Sequence, residues 1–185
     1  DLNTSLPANL RATADLVVDG GTLDNVFDPV QALTSLVDML RPGGRLFILT
    51  IGSNHTCPYI ILTPLWLHDY FMINKFARVD VYIVVYDQSG HNVLRVTPVK
   101  EIPSHPNWVP NIETSRKQEI LVLAEAGPDS TSTRRPVQHQ YRSSADWQEY
   151  ISHVRGMMRG EPLVFSDVDQ FHSASLGYEF IERGG

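Results

Sequence analysis

Cysteine is nearly absent: Cys57 stands alone, so the chain has neither an internal disulfide framework nor a cysteine-rich zinc site. A lone thiol of this kind reads as a buried or unreactive side chain. No stretch approaches the roughly 20 apolar residues that a membrane helix needs, and the first residues lack the basic and apolar regions of a secretory leader. The expectation is a soluble, cytoplasmic protein. Positive charge is also short, with 15 Lys and Arg against 21 Asp and Glu and a formal net charge of -6. That balance argues against a broad nucleic-acid surface. No Gly-x-Gly occurs, so the turn that marks a dinucleotide site is missing. His153 and His172 have no ligand-like companions at regular spacing, and His68 with Asp69 makes no metal set, so no metal is expected.

What is present suffices for one sizeable core: 185 residues, 42% of them hydrophobic and 19% charged. The organising stretch is Asp15 to Gly52. Asp15-Leu16-Val17-Val18-Asp19 reads as a buried strand that ends in an acid and runs into Gly20-Gly21. Asp28 supplies an N-cap and Pro29 a first helical residue, after which Val30, Leu33, Leu36, Val37 and Leu40 recur at helical spacing. Arg41 places positive charge in the last turn, Pro42 stops the helix, and Gly43-Gly44 returns the chain into a strand from Arg45 to Ile51. A right-handed crossover makes the two strands parallel.

Ala14 to Ile48, ADLVVDGGTLDNVFDPVQALTSLVDMLRPGGRLFI, resembles the fourth strand, following helix and fifth strand of a class I S-adenosylmethionine-dependent methyltransferase. Many members carry a strand ending in an acid and a small-residue turn, then a Leu-Glu-His-Val-like segment, and later a Leu-Lys-Pro-Gly-Gly turn. Leu23-Asp24-Asn25-Val26 and Leu40-Arg41-Pro42-Gly43-Gly44 stand in those places. Order and spacing carry the resemblance, because Pro-Gly-Gly after a helix is common turn chemistry. It covers Asp1 to Ile51 well, extends to Ala126, and weakens beyond.

The resemblance implies an α/β fold: the later strands of a partial Rossmann-like methyltransferase sheet, with an antiparallel end and a C-terminal helical extension. It implies S-adenosylmethionine as cofactor and methyl transfer as activity. Asp1 would meet the exocyclic amine of adenine and Leu2 would pack on the ring; the competing reading makes both ordinary residues of a frayed terminus. Asp19, Gly20 and Gly21 would line the methionine end of the cofactor. Asp24 or Asn25 would lie near the acceptor, although Asn25 replaces the family's usual His and an amide is no base at neutral pH. The family's first strand with its Gly-rich turn, and its second strand with a ribose-binding acid, have no counterpart here. The expectation is thus the C-terminal part of a longer enzyme, with a natural half-domain as the alternative. Without its first strands the sheet would expose the Asp15 strand as an apolar edge, inviting a homo-oligomer. A catalytically silent module and another Rossmann-like enzyme, acting on nucleotide sugars or carbohydrates, are the rival functions.

Further along, the Gly52 to Tyr59 loop follows the second strand, with Ser53, Asn54, His55 and Thr56 as candidate lining residues. His55 is a candidate substrate contact that reads first as a solvated loop residue. Thr63-Pro64 opens a helix to about Asn74, with Trp66, His68 and Asp69 expected toward solvent or a neighbouring loop. Phe76 to Tyr86, Asn92 to Thr97 and Glu119 to Ala126 read as strands, the first two a hairpin. The last resembles the antiparallel seventh strand that closes the methyltransferase sheet. Between them lies a proline-rich loop whose Trp108 either contacts substrate or pins the loop to the core. Residues 1–126 form the α/β unit, 127–145 a polar linker, and 146–185 a C-terminal helix and tail. Arg134, Arg135 and Arg142 suit a phosphate or sugar-nucleotide group, against the blander reading of a solvated face. The acceptor is left open, a small molecule or carbohydrate among the candidates.

Overall fold

The computed structural model describes residues 1–52, 58–87, 89–99, 116–138 and 141–157. His55 and Trp108 lie outside these residues. Five strands form one mixed sheet: β1 (Ala14–Asp19), β2 (Leu40–Ile51), β3 (Arg78–Tyr86), β4 (Val93–Val99) and β5 (Gln118–Glu125). The helices are α1 (Pro29–Asp38), α2 (Pro64–Ile73) and α3 (Ser144–Met157).

The strand order is β1-β2-β5-β3-β4. Only β1 and β2 run parallel; β5 joins β2 and β3 antiparallel on both sides, and β4 closes a hairpin on β3. The strand-helix-strand unit read from Asp15 to Gly52 is therefore present, with the expected parallel pair. Its helix starts as the sequence dictates: the Asp28 carboxylate accepts from Gln31 N at 2.9 Å, and Pro29 occupies the first turn.

The end of that helix differs from expectation. The helix stops at Asp38, and Leu40 already pairs with Ala14, so Arg41 to Gly44 belong to the second strand rather than to a helix end and turn. Between Ala14↔Leu40 and Leu16↔Arg45 one residue of β1, Asp15, faces four of β2, Arg41 to Gly44, a bulge made possible by glycine. Gly43 has φ +79°, and a Cβ on Gly44 would stand 2.8 Å from the carbonyl oxygens of both Ala14 and Arg41. Arg41 instead pairs with Asp15 across the bulge.

Strand parity divides the sheet. Val17, Leu46, Ile48, Val81, Ile83, Ile120 and Val122 share one face and are buried under the helices, where α1 lies on β2, α2 on β3 and β5, and α3 on α2. Within this layer Phe71 packs edge-on against Tyr70 and Phe76. The opposite face carries Leu16 and Val18, 60% and 61% exposed, with Leu123 also exposed and Phe47 and Leu49 half-buried. β1 is an edge strand, so apolar side chains do surround an open edge, as the sequence anticipates for a sheet without earlier strands. Among the described residues, no helix is long and apolar enough to cross a membrane.

Residues 127–134 are tied to the helical layer. Asn74, fully buried at the end of α2, donates from Nδ2 to the carbonyls of Tyr70 (2.9 Å) and Arg134 (3.0 Å). Its Oδ1 accepts from Thr131 Oγ1 (2.7 Å) and Arg134 N (3.1 Å). The buried Tyr70 hydroxyl donates to the Ser132 carbonyl at 2.8 Å, and burial pushes its ionisation well above the ordinary phenol value.

Candidate functional site

In open α/β sheets, ligands collect beyond the carboxyl ends of parallel strands. Here that region is the Asp19 to Asn25 loop together with the end of β2. Asp19 closes β1 on the helix-covered face and is 2% exposed. Its Oδ1 accepts from Thr22 N at 2.9 Å and its Oδ2 from Leu23 N at 3.3 Å. The carboxylate therefore folds the Gly20-Gly21 turn back over the strand end. Gly21 has φ +100°, a conformation that L side chains rarely adopt. Asn25 is exposed, and its Nδ2 donates to the Gly21 carbonyl at 2.8 Å, closing the loop from outside.

Asp24 lies beneath this loop and is 1% exposed. Among the described residues neither carboxylate oxygen has a hydrogen-bond partner, and the buried Thr50 hydroxyl, near the end of β2, also lacks one. Burial pushes the Asp24 carboxyl above the ordinary carboxylate range, and the nearby Asp19 charge adds to that. The backbone N–H groups of Asp24 and Ile51 and the Thr50 hydroxyl oppose the rise without closing a formed bond. The Asp24 carbonyl accepts from Tyr59 N at 2.9 Å and Ile60 N at 3.3 Å, anchoring the chain that enters α2.

The structure thus brings five predicted residues, Asp19, Gly20, Gly21, Asp24 and Asn25, into one loop at the end of the parallel pair. Thr50 was not singled out from the sequence, although a hydroxyl ending the run Leu46-Phe47-Ile48-Leu49 was the available signal. Asp1 is exposed and accepts from Asn3 N and Asn3 Nδ2, both at 2.9 Å, while Leu2 packs on the core. Asn3 Oδ1 in turn accepts from Asp28 N at 3.0 Å, holding this segment at the start of α1. Among the described residues no group of three or more potential ligands could hold a metal.

A second polar cluster joins α2 to α3. Ser143 Oγ accepts from Asp146 N, and Asp146 Oδ2 accepts from Ser143 N at 3.0 Å, a reciprocal cap that starts α3. Of the two expected settings, solvent or a neighbouring loop, Asp69 has the second: it is buried against the loop before α3, where Arg142 reaches it at 2.6 Å. Burial alone would raise the Asp69 carboxyl, but the His68 ring and the Arg142 guanidinium outweigh it and hold the group below the ordinary range. Arg142 is itself covered by Trp147 and Tyr150, its guanidinium 4.9 and 4.5 Å from their ring centres. Arg134 forms a two-point bond to Glu149 at 2.6 and 3.0 Å. These two arginines are not a solvated face: Arg134, which also donates to the Ile73 carbonyl, and Arg142 tie α3 to α2. The 210 Å³ cleft beside them mixes three arginines with Asp69 and Asp146, a near-balanced set.

No protein-family model matches the chain, and no curated protein matches it in sequence. Among solved structures the chain is similar to a SAM-dependent methyltransferase from Thermotoga maritima, described as a "possible histamine N-methyltransferase". The TM-score is 0.44 at 13% identity, and the match covers 62% of this chain and 57% of that one. The chain therefore spans little more than half the length of the protein it matches. A likeness that slight fixes neither the fold nor the activity of this chain.

Proposed function

We propose that this chain is the later part of a Rossmann-like, S-adenosylmethionine-dependent methyltransferase domain, and that it forms the acceptor-side wall of the donor pocket. The observation that carries the reading is the loop after β1. A buried acid, Asp19, ends a parallel strand and pins a side-chain-free Gly20-Gly21 turn, with a second buried acid, Asp24, directly beneath it. The order β1-β2-β5, with β5 antiparallel against β2, agrees with the strands named in the family resemblance. The exposed Leu16 and Val18 on an edge strand agree with a sheet that is continued and covered by an earlier part of the same domain.

When bound, S-adenosylmethionine supplies a methyl group on an electrophilic sulfonium. The residues here suit the methionine end of such a donor, since Gly20 and Gly21 present backbone without side chains at the strand ends. Asp19 holds that turn in place. Asp24 and Thr50 offer polar atoms for positioning an acceptor, and positioning is the main contribution a protein makes to this chemistry. Asn25 donates to the Gly21 carbonyl and does not take a proton.

The test is calorimetry of the full natural polypeptide with S-adenosylmethionine and S-adenosylhomocysteine, followed by transfer of labelled methyl to candidate amines, alcohols and sugars. Donor uptake with transfer supports the reading; no donor uptake overturns it. A silent module that keeps the fold without catalysis is the second reading, favoured by one fact: no Gly-x-Gly turn exists in this sequence to grip a donor.

A further inference from the structure

Burying a carboxylate without a partner is among the costlier arrangements in a folded chain, and such groups are ordinarily bonded. Among the described residues Asp24 breaks that rule with both oxygens, and Thr50 breaks it beside Asp24 at the end of the parallel strands. The three unpaired oxygens are all acceptors when Asp24 is ionised and the Thr50 hydrogen turns away. Asp19 adds negative potential but has no capacity to spare, because both its oxygens already accept backbone N–H groups. The thinnest cover is on the Gly21 side, where no side chain stands over the carboxylate. Both Asp24 oxygens are closed to solvent, and the cover on this side is the Gly21 backbone alone: a Cβ there would stand 3.9 Å from Asp24 Oδ1 and 4.0 Å from the Leu49 carbonyl oxygen, so an occupant enters by displacing the glycine turn and a side chain would add to what must move.

We propose that Asp24 and Thr50 form a recognition point for a protonated amine carried by the methyl acceptor, with the two Asp24 oxygens and Thr50 Oγ receiving the three ammonium hydrogens. The naming of the occupant as acceptor rests on the methyl-transfer reading; the amine site itself does not. An ammonium brings three donors and one positive charge, which matches three acceptors and a doubly acidic surrounding. A divalent metal fits less well. Hard cations take six or more oxygens, and among the described residues no group of three or more His, Cys, Asp or Glu could hold a metal. A neutral hydroxyl supplies one donor and no charge, leaving the rest of the set unsatisfied.

The experiment follows the backbone amide resonances of Gly21, Asp24, Thr50 and Ile51 in the 185-residue chain while n-butylammonium or 2-phenylethylammonium is added at low salt. n-Butanol, 2-phenylethanol and magnesium chloride are the comparison probes. The expected result is saturable shifts with the ammonium ions, binding of the alcohols weaker by about tenfold or more, and a loss of about tenfold in Asp24→Asn. Thr50→Val, which keeps the charge, loses only a few-fold. Alcohols binding as well as amines, unchanged amine affinity in Asp24→Asn, magnesium shifting these resonances in place of the amines, or no probe shifting them would each overturn the proposal. Amine capture without donor uptake by the full natural polypeptide overturns the methyl-transfer reading and leaves the amine site standing; donor uptake without amine capture overturns this inference alone.

Discussion

Replacing Asp24 by Asn tests the central electrostatic claim without any ligand. The substitution keeps the size of the side chain and removes its charge. In the folded chain Asp24 is 1% exposed, neither oxygen is bonded among the described residues, and Asp19 lies close enough to disfavour a second negative charge. Its folded-state affinity for a proton is therefore higher than in the unfolded chain, where the ordinary carboxylate value applies. The sign follows from linkage: where the folded state holds more protons, stability falls as pH rises. The wild-type chain loses stability from the ordinary carboxylate value upward, until Asp24 has ionised in the fold. The rate of loss is at most about 1.4 kcal/mol per pH unit. Asp24→Asn does not titrate and escapes that loss. Mutational costs of unpaired buried polar groups lie near 1–3 kcal/mol, so the variant is expected to be more stable by about 1–3 kcal/mol at neutral pH. The difference should shrink toward zero near about pH 4. Urea unfolding followed by circular dichroism across that range measures it directly. A variant less stable than wild type at neutral pH, or a difference independent of pH, would refute the picture of a strained, unpartnered carboxyl.

Asn74→Ala removes four side-chain hydrogen bonds inside the helical layer, each worth about 0.5–1.5 kcal/mol net. A loss of about 2–4 kcal/mol and a melting temperature lower by roughly 5–15 °C are expected by calorimetry. Arg142→Met leaves buried Asp69 with the His68 ring as its remaining partner and should cost up to about 3–5 kcal/mol, whereas Asp69→Leu combined with Arg142→Met should recover most of it. Chemical denaturation of the two single variants and the double variant closes that cycle. Leu16→Ser with Val18→Ser removes apolar surface from the open edge; association of the wild-type chain at high concentration, seen by light scattering, should fall in the variant.

The parallel unit was legible because its signals are local. Asp28-Pro29 starts α1 within four residues, and Leu33, Leu36 and Val37 mark its buried stripe. The reciprocal Ser143–Asp146 cap is equally local and fixes the start of α3. The bulge at Arg41 to Gly44 was misread as a helix stop and turn, because Pro-Gly-Gly suits both and only the pairing with Ala14 decides between them. Asp69 was expected toward solvent or a neighbouring loop and meets the loop before α3; which loop was not legible, because Arg142 stands 73 residues away in sequence and no local pattern announces it. The loop acids Asp19 and Asp24 were visible as chemistry. Their burial was not, since it depends on which face of β1 and β2 the helices cover.

That face is set by the bulge, and the bulge by Gly44. Four residues of β2 pass against one of β1, after which Val17 pairs with Leu46 and Asp19 with Ile48. Parity then puts Leu46, Ile48 and Thr50 on the helix side, so the apolar face ends in a hydroxyl beside two acids. Gly44→Ala would drive a Cβ to 2.8 Å from two backbone oxygens, which cannot swing aside as a side chain could. The strands must separate or slip at the bulge, at an expected cost of about 1–3 kcal/mol. Because Asp19, Asp24 and Thr50 depend on the same register, the amide resonances of Asp24 and Thr50 should move as well, although no atom of their own has changed. Unaltered stability together with unmoved resonances would show that the site does not depend on the bulge, and that the loop after β1 folds by its own hydrogen bonds alone.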